Sequence, residues 1–185
     1  MEIILASNSP RRKQLLEEAG FSLEIIPADI DETFEQDLDV YQNVCNTSYK
    51  KASKIAEKRT DKVIVAADTI VVLDGVVFGK PRDEMDAFRM LSELNGHTHE
   101  VITGVSIIKG EKKDNFYVVS EVTFKQVSDE ELWEYIKTKE PLDKAGAYAI
   151  QGLGRNLILE YEGSLENIIG LPVDEVIEAI KNIEK

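Results

Sequence analysis

Apolar and polar positions change period several times along this chain. Residues 2–6 (EIILA) form a short, nearly continuous apolar run and predict a buried strand. Ser9, Pro10 and Gly20 then punctuate a helix, since Ser suits the N-cap, Pro the first helical position and Gly the stop. Leu15, Leu16 and Ala19 make its apolar face. Residues 21–27 (FSLEIIP) predict a second strand. Over residues 40–58 the period returns to that of a helix, with Val44, Ser48, Lys51 and Ile55 on one stripe. Lys51 then lies at the edge of the buried face, so its ammonium must reach a polar group at the rim.

The segment "KVIVAADTIVVLDGVVFGK" (62–80) predicts a strong strand and then a hairpin, because Asp74-Gly75 suits a type I′ turn. A helix is expected at 83–94, apolar at Ala87, Met90, Leu91 and Leu94. Strands are expected at 98–108 and 116–126, with "KGEKKDN" as their turn. A helix at 128–138, a Gly-rich loop at 143–154, a strand at 156–161 and a helix at 172–183 complete the chain. Strands mixed with helices and hairpins predict an α/β or α+β protein with a central mixed sheet.

Composition narrows the class. With 185 residues the chain suits one domain or two small lobes. No apolar run approaches the ~20 residues of a membrane span. The start "MEIILASNS" has no basic lead-in, and the lone Cys45 cannot form an intrachain disulfide, so an intracellular, cytoplasmic protein is expected. The net charge of −13 argues against a nucleic acid polymer or a membrane surface as partner. A small anionic ligand stays open, because it needs only a local cluster of cations.

Candidate chemistry gathers at a few places. In "LASNSPRRKQLL" a Ser-rich turn joins strand to helix, and its backbone N–H groups would point outward. Ser7, Asn8 and Ser9 can add donors. Arg11 and Arg12 fall in the first turn, where the helix dipole disfavours cations. They gain if phosphates dock there; the plain alternative is a capped helix with two solvent-facing arginines. Asp68 follows the apolar run Val63 to Ala67, and a carboxylate ending a buried strand is costly unless it meets a metal, a donor or a task. Thr69 would point to the opposite face if the strand continued. Asp31 and Glu32 are further oxygen ligands for a hard divalent cation, or simply acidic loop. Lys80 and Lys144 sit in turns, and each taken alone reads more readily as a surface lysine than as a site residue. His97 and His99 alternate (HTH), but no third His exists to complete a metal site. Tyr148 and Gln151 lie in the Gly-rich loop, and a Gln amide carries both a donor and an acceptor for a base edge.

These stretches resemble the Maf family of nucleoside triphosphate pyrophosphatases, relatives of the inosine triphosphate pyrophosphatases. The motifs are "LASNSPRRKQLL", "DE" at 31–32, "KA" at 51–52, "AADTIVV", "GKPRDEMDA", "LNGHTHEVITGV", "DKAGAYAIQG" and "GSLENIIGLP", in the family's order over nearly the whole chain. The resemblance implies a single α/β domain over 1–185, with two lobes around a long, mixed, twisted sheet and a central cleft. It implies hydrolysis of a nucleoside triphosphate to monophosphate and pyrophosphate with a divalent metal, Mg or Mn. Asp68 would accept the proton, with Glu32, Lys51 and Lys80 at the other polar catalytic positions. Glu32 and Asp68 would hold the metal, and Ser7, Ser9, Arg11 and Arg12 the phosphates. Arg12, Thr69 and Gln151 match the branch acting on dTTP and UTP, rather than the one preferring methylated GTP. This sequence has Ala149 where the family commonly has Gly. Kinship also implies removal of modified pyrimidine nucleotides from the pool, links the family to arrest of cell division, and leaves room for a homodimer. Two alternatives stand beside this reading: a non-catalytic nucleotide-binding regulator of division, and the same chemistry with a modified-purine preference.

Overall fold

The computed structural model describes residues 1–185. Seven strands and six α-helices follow in the order β1 (Glu2–Leu5), α1 (Pro10–Glu18), β2 (Ser22–Ile25), α2 (Val40–Ala56), β3 (Ile64–Leu73), β4 (Val76–Phe78), α3 (Glu84–Leu94), β5 (Thr98–Lys109), β6 (Lys112–Phe124), α4 (Asp129–Lys137), β7 (Ile158–Glu162), α5 (Leu165–Ile169) and α6 (Val173–Glu184). The strands form one seven-stranded sheet, ordered β2-β1-β3-β5-β6-β7, with β4 pairing on β3. β1 runs parallel to β2 and β3, whereas β3–β4 and β6–β7 are antiparallel, so the sheet is mixed and the class is α/β. No helix is long and apolar enough to cross a membrane.

β3 runs through Asp68 and Thr69 to Leu73 and into the expected hairpin, so Asp68 lies within the strand rather than at its end. The turn between β5 and β6 shrinks from "KGEKKDN" to Gly110 and Glu111. Its polar residues become strand because they find partners: Lys112 Nζ donates to the Ile183 carbonyl at 3.0 Å, and Asn115 Oδ1 accepts from Ser106 at 3.1 Å. Pairing and packing override weak strand propensity here. The short α5 had no signal in the apolar pattern. The Asp74-Gly75 turn is as expected, with φ of 50° and 78°, the left-handed pair a type I′ turn requires.

The chain divides into two compact units. The first comprises Met1–Thr69, Thr103–Val118 and Leu165–Lys185. Alternating residues of β1 and β3 face two helical layers in it, as strand geometry dictates. Ile3, Leu5, Val65 and Ala67 pack on Leu15 and Leu16 of α1 and on Val176, Ala179, Ile180 and Ile183 of α6. Ile4, Ala6, Ile64 and Ala66 pack on Ala52 and Ile55 of α2. A strand buried on both faces needs a continuous apolar run, which is what β1 and β3 carry.

The second unit comprises Ile70–Ile102 and Val119–Ser164. Phe88 of α3 and Trp133 of α4 stack with centroids 4.7 Å apart, and Asn95 ties the end of α3 to Val127 through both its amide groups. His99 is buried here against the edges of Phe124 and Tyr148, its Nε2 2.7 Å from the Tyr148 hydroxyl. It is thus a core residue rather than half of a metal pair. Burial pushes its imidazole down to about 4. The folded form therefore binds fewer protons than the unfolded form between pH ~4 and ~6.5, so stability is full above that window and falls as pH drops through it, by about 3 kcal/mol in total. Urea midpoints at pH 5 and 7 should differ accordingly, and His99→Phe should flatten the difference.

Candidate functional site

The chemistry starts at the turn from β1 to α1. Ser9 caps α1, its hydroxyl accepting from the Arg12 amide at 3.4 Å, and its own amide donates to Ser7 Oγ at 3.1 Å. The first turn of α1 contains no acidic residue. Its dipole therefore meets two cations, Arg11 and Arg12, and no anion of its own helix, a pairing that disfavours the empty turn and favours an anionic ligand.

Arg12 is not the solvent-facing arginine of the plain reading. Its Nε donates to the Gly170 carbonyl at 2.8 Å, and its two terminal nitrogens reach Thr69 Oγ1 at 3.0 Å and Ser7 Oγ at 3.4 Å. Burial pulls the guanidinium below its ordinary pKa; Asp68 and Glu32 oppose this and Arg11 adds to it. A guanidinium carries more N–H donors than these contacts use, so docking a phosphate need not break them. Thr69 completes the cluster, its hydroxyl lying 3.0 Å from Thr103 Oγ1 and 3.3 Å from the Gly170 carbonyl. Because β3 continues through it, Thr69 serves this cluster while Asp68, one residue earlier, serves another.

That second cluster centres on Lys51. The spacing on α2 puts Lys51 among buried neighbours, and its ammonium is 3.0 Å from both Glu32 Oε1 and Asp68 Oδ1. The polar group that the helical stripe required at the rim is thus a pair of carboxylates. Their exposures differ: the Asp68 side chain is 14% accessible and that of Glu32 55%. Asp68 is held in place by a buried strand, while Glu32 comes from the irregular stretch before α2 and approaches from solvent.

Two carboxylates converging on one cationic point are a donor set for a hard divalent ion. No group of three or more His, Cys, Asp and Glu side chains gathers for a metal. The remaining positions of such an ion would then go to water and phosphate oxygens, the usual habit of Mg²⁺. The residues present fit that ion.

Lys80 and Gln151 belong to the second unit, where both are exposed. They are linked through backbone, since the Gly146 amide donates to the Gly79 carbonyl at 3.1 Å, joining the Lys80 turn to the loop that carries Gln151. Ala149 of that loop is not among the residues with positive φ, so the usual glycine is not needed for its backbone. Lys144 turns inward, donating to the Glu140 carbonyl at 3.0 Å and Asp143 at 2.7 Å. Sequence reading missed the Gly170 carbonyl and Thr103, which anchor Arg12 and Thr69. A main-chain acceptor has no residue-type signature, and Gly170 was visible only within "GSLENIIGLP".

A family profile described as "Maf-like protein" matches residues 2–183. A Caldicellulosiruptor bescii protein named dTTP/UTP pyrophosphatase is 46% identical over 177 residues, spanning 92% of this chain and 89% of that protein. Proteins of the same name from Bacillus cereus and Halalkalibacterium halodurans are each 44% identical, over 97% of this chain and 94% of their own length. The solved structure of the Staphylococcus aureus Ham1 protein is similar over all of both chains, with a TM-score of 0.50 at 14% identity, a likeness of fold.

Proposed function

The chain belongs to the Maf family, and from that premise we propose that it hydrolyses dTTP, UTP and related pyrimidine triphosphates to the monophosphate and pyrophosphate. The observation that carries this reading is the Glu32–Lys51–Asp68 constellation within the unit that also holds the Ser7–Arg12 turn. The relatives' printed names supply the substrate class.

In the proposed reaction water attacks the α-phosphorus and the bond from that phosphorus to the bridging oxygen breaks. The water proton passes to the Asp68 carboxylate, and the electron pair leaves on pyrophosphate. Asp68 suits the acceptor role because strand backbone fixes it and Lys51 orients one oxygen, leaving the other for the water. Arg11, Arg12, Lys51 and Lys80 supply positive charge for the tail and for the leaving group, so catalysis is positioning plus electrostatics with no covalent intermediate. Glu32 and Asp68 would hold a divalent ion, Mg or Mn, which when bound neutralises phosphate charge and makes water more acidic. Gln151 would read the base, and Thr69, fixed by Arg12 and Thr103, would line the nucleotide.

The test is pyrophosphate release with Mg²⁺ or Mn²⁺ from dTTP, UTP, CTP and a methylated GTP, compared by kcat/KM. We expect dTTP and UTP to lead. Binding should also raise the melting temperature, as about 2.7 kcal/mol accrues at a hundredfold excess over Kd. A thermal shift without pyrophosphate release would make the protein a nucleotide-binding regulator. A lead for methylated GTP would move it to the purine branch.

A further inference from the structure

Gln151 sits on a loop that regular secondary structure leaves unsupported, yet a base-reading amide must be placed to within a fraction of an ångström. Two side chains outside the motifs that define the site meet that requirement. Glu140 follows α4, past Lys139, whose φ of 66° turns the chain back on itself. Its Oε1 accepts from the Leu153 amide and its Oε2 from the Gly154 amide, both at 3.0 Å. Tyr135 of α4 donates its hydroxyl to the same Oε2, and that hydroxyl accepts from the Ala149 amide at 3.1 Å. One carboxylate and one phenol thus hold the backbone on both sides of Gln151, whose side chain stays exposed.

The glycines of this loop follow from the same contacts. A Cβ on Gly152 would lie 1.8 Å from Glu140 Oε1, and one on Gly154 2.6 Å from the Tyr135 hydroxyl. The backbone closes over the two polar groups as tightly as it can. Burial opposes the Glu140 charge, but the hydrogen bonds from Tyr135, Gly154 and Leu153 outweigh it and hold the carboxyl below its ordinary value. The acceptor is therefore ionised and strong when the loop is in place.

Building on the reading of Gln151 as the base-facing residue, we infer that Glu140, bridged by Tyr135, is a positioning residue for pyrimidine selection: it sets the loop 149–154 so that the Gln151 amide meets the base edge. It touches no reacting atom. Its effect falls on KM and on the choice of base, because misplacing a recognition group by about an ångström can cost up to ~100-fold.

The experiment compares wild type, Glu140→Gln, Tyr135→Phe, Gln151→Ala and the double variant Glu140→Gln/Gln151→Ala on dTTP and CTP. Glu140→Gln keeps the shape and one acceptor but loses the charge, and should lower kcat/KM for dTTP by about tenfold, mainly through KM, and the dTTP-over-CTP ratio with it. Tyr135→Phe should give a smaller loss in the same direction. The double variant should be no worse than Gln151→Ala alone, since both changes remove one interaction. Amide exchange at Ala149, Leu153 and Gly154 should quicken in Glu140→Gln. Equal losses on both nucleotides through kcat, or losses that multiply in the double variant, would make Glu140 a scaffold residue only and overturn the inference. A wild-type chain inactive on every pyrimidine triphosphate would instead overturn the proposed reaction, and this role with it.

Discussion

Asp68→Asn should fold, bind dTTP within a few-fold of wild type and lose ~10²–10⁴ of its pyrophosphate release, the range spanned by a single general base. The substitution is isosteric, so β3 and its neighbours Ala67 and Thr69 keep their packing. The amide still offers Lys51 an oxygen at the position Oδ1 holds now, 3.0 Å from the ammonium. What disappears is the basic oxygen that takes the water proton, one of the two carboxylates proposed to hold the divalent ion, and one of two negative charges acting on Arg12. The first effect lowers kcat, the second raises the metal concentration required, and the third leaves more net positive charge near the phosphates, so at saturating metal KM should not rise. Steady-state kinetics with a melting curve separate these outcomes. Undiminished turnover in a folded variant removes Asp68 from the mechanism.

Lys51→Met should destabilise the protein by about 3 kcal/mol, as breaking a buried pair leaves a charge without compensation. The methionine matches the aliphatic stem of the lysine, so the cost traces to the orphaned carboxylates rather than to a cavity. Glu32 is mostly exposed and can rehydrate, while Asp68 cannot, so most of the loss belongs to Asp68. The double variant Lys51→Met/Asp68→Asn should therefore recover stability relative to Lys51→Met, a negative coupling readable in urea titrations. A double variant no more stable than the single one would show that the ion pair is not what Lys51 contributes. Activity should fall in both, because the ammonium also faces the phosphate tail in the proposed complex.

Strong local signals and long-range ones separate cleanly in this chain. The cap Ser9, the Pro10 start and the Gly20 stop are local, and α1 lies where they put it, Pro10–Glu18. The stripe through Val44, Ser48, Lys51 and Ile55 is local too, and all four are buried on α2. That stripe also announced that Lys51 needs a polar partner, but not that it would have two, because Glu32 arrives from a segment without periodicity. Arg12 was legible as an oddity of helix electrostatics, whereas its anchors, Thr69 and the Gly170 carbonyl, lie far along the chain. Glu140 and Tyr135 look like ordinary surface and amphipathic positions of a helix and its exit. Only the return of the Gly-rich loop onto them shows what they hold.

The bond from Arg12 to Gly170 spans 158 residues of sequence. A ribosome adding about 5–20 residues per second needs on the order of ten seconds to cover that gap. Once β3 has followed β1, the two nascent strands still lack α6, and the part of their apolar face beyond α1 stays open to wrong partners. The opening turn is thus written first and finished last. Newly made chains should be most prone to aggregation before α6 emerges, and a stop codon between Arg12 and Gly170 yields a product that has both arginines but lacks the carbonyl on which Arg12 Nε rests.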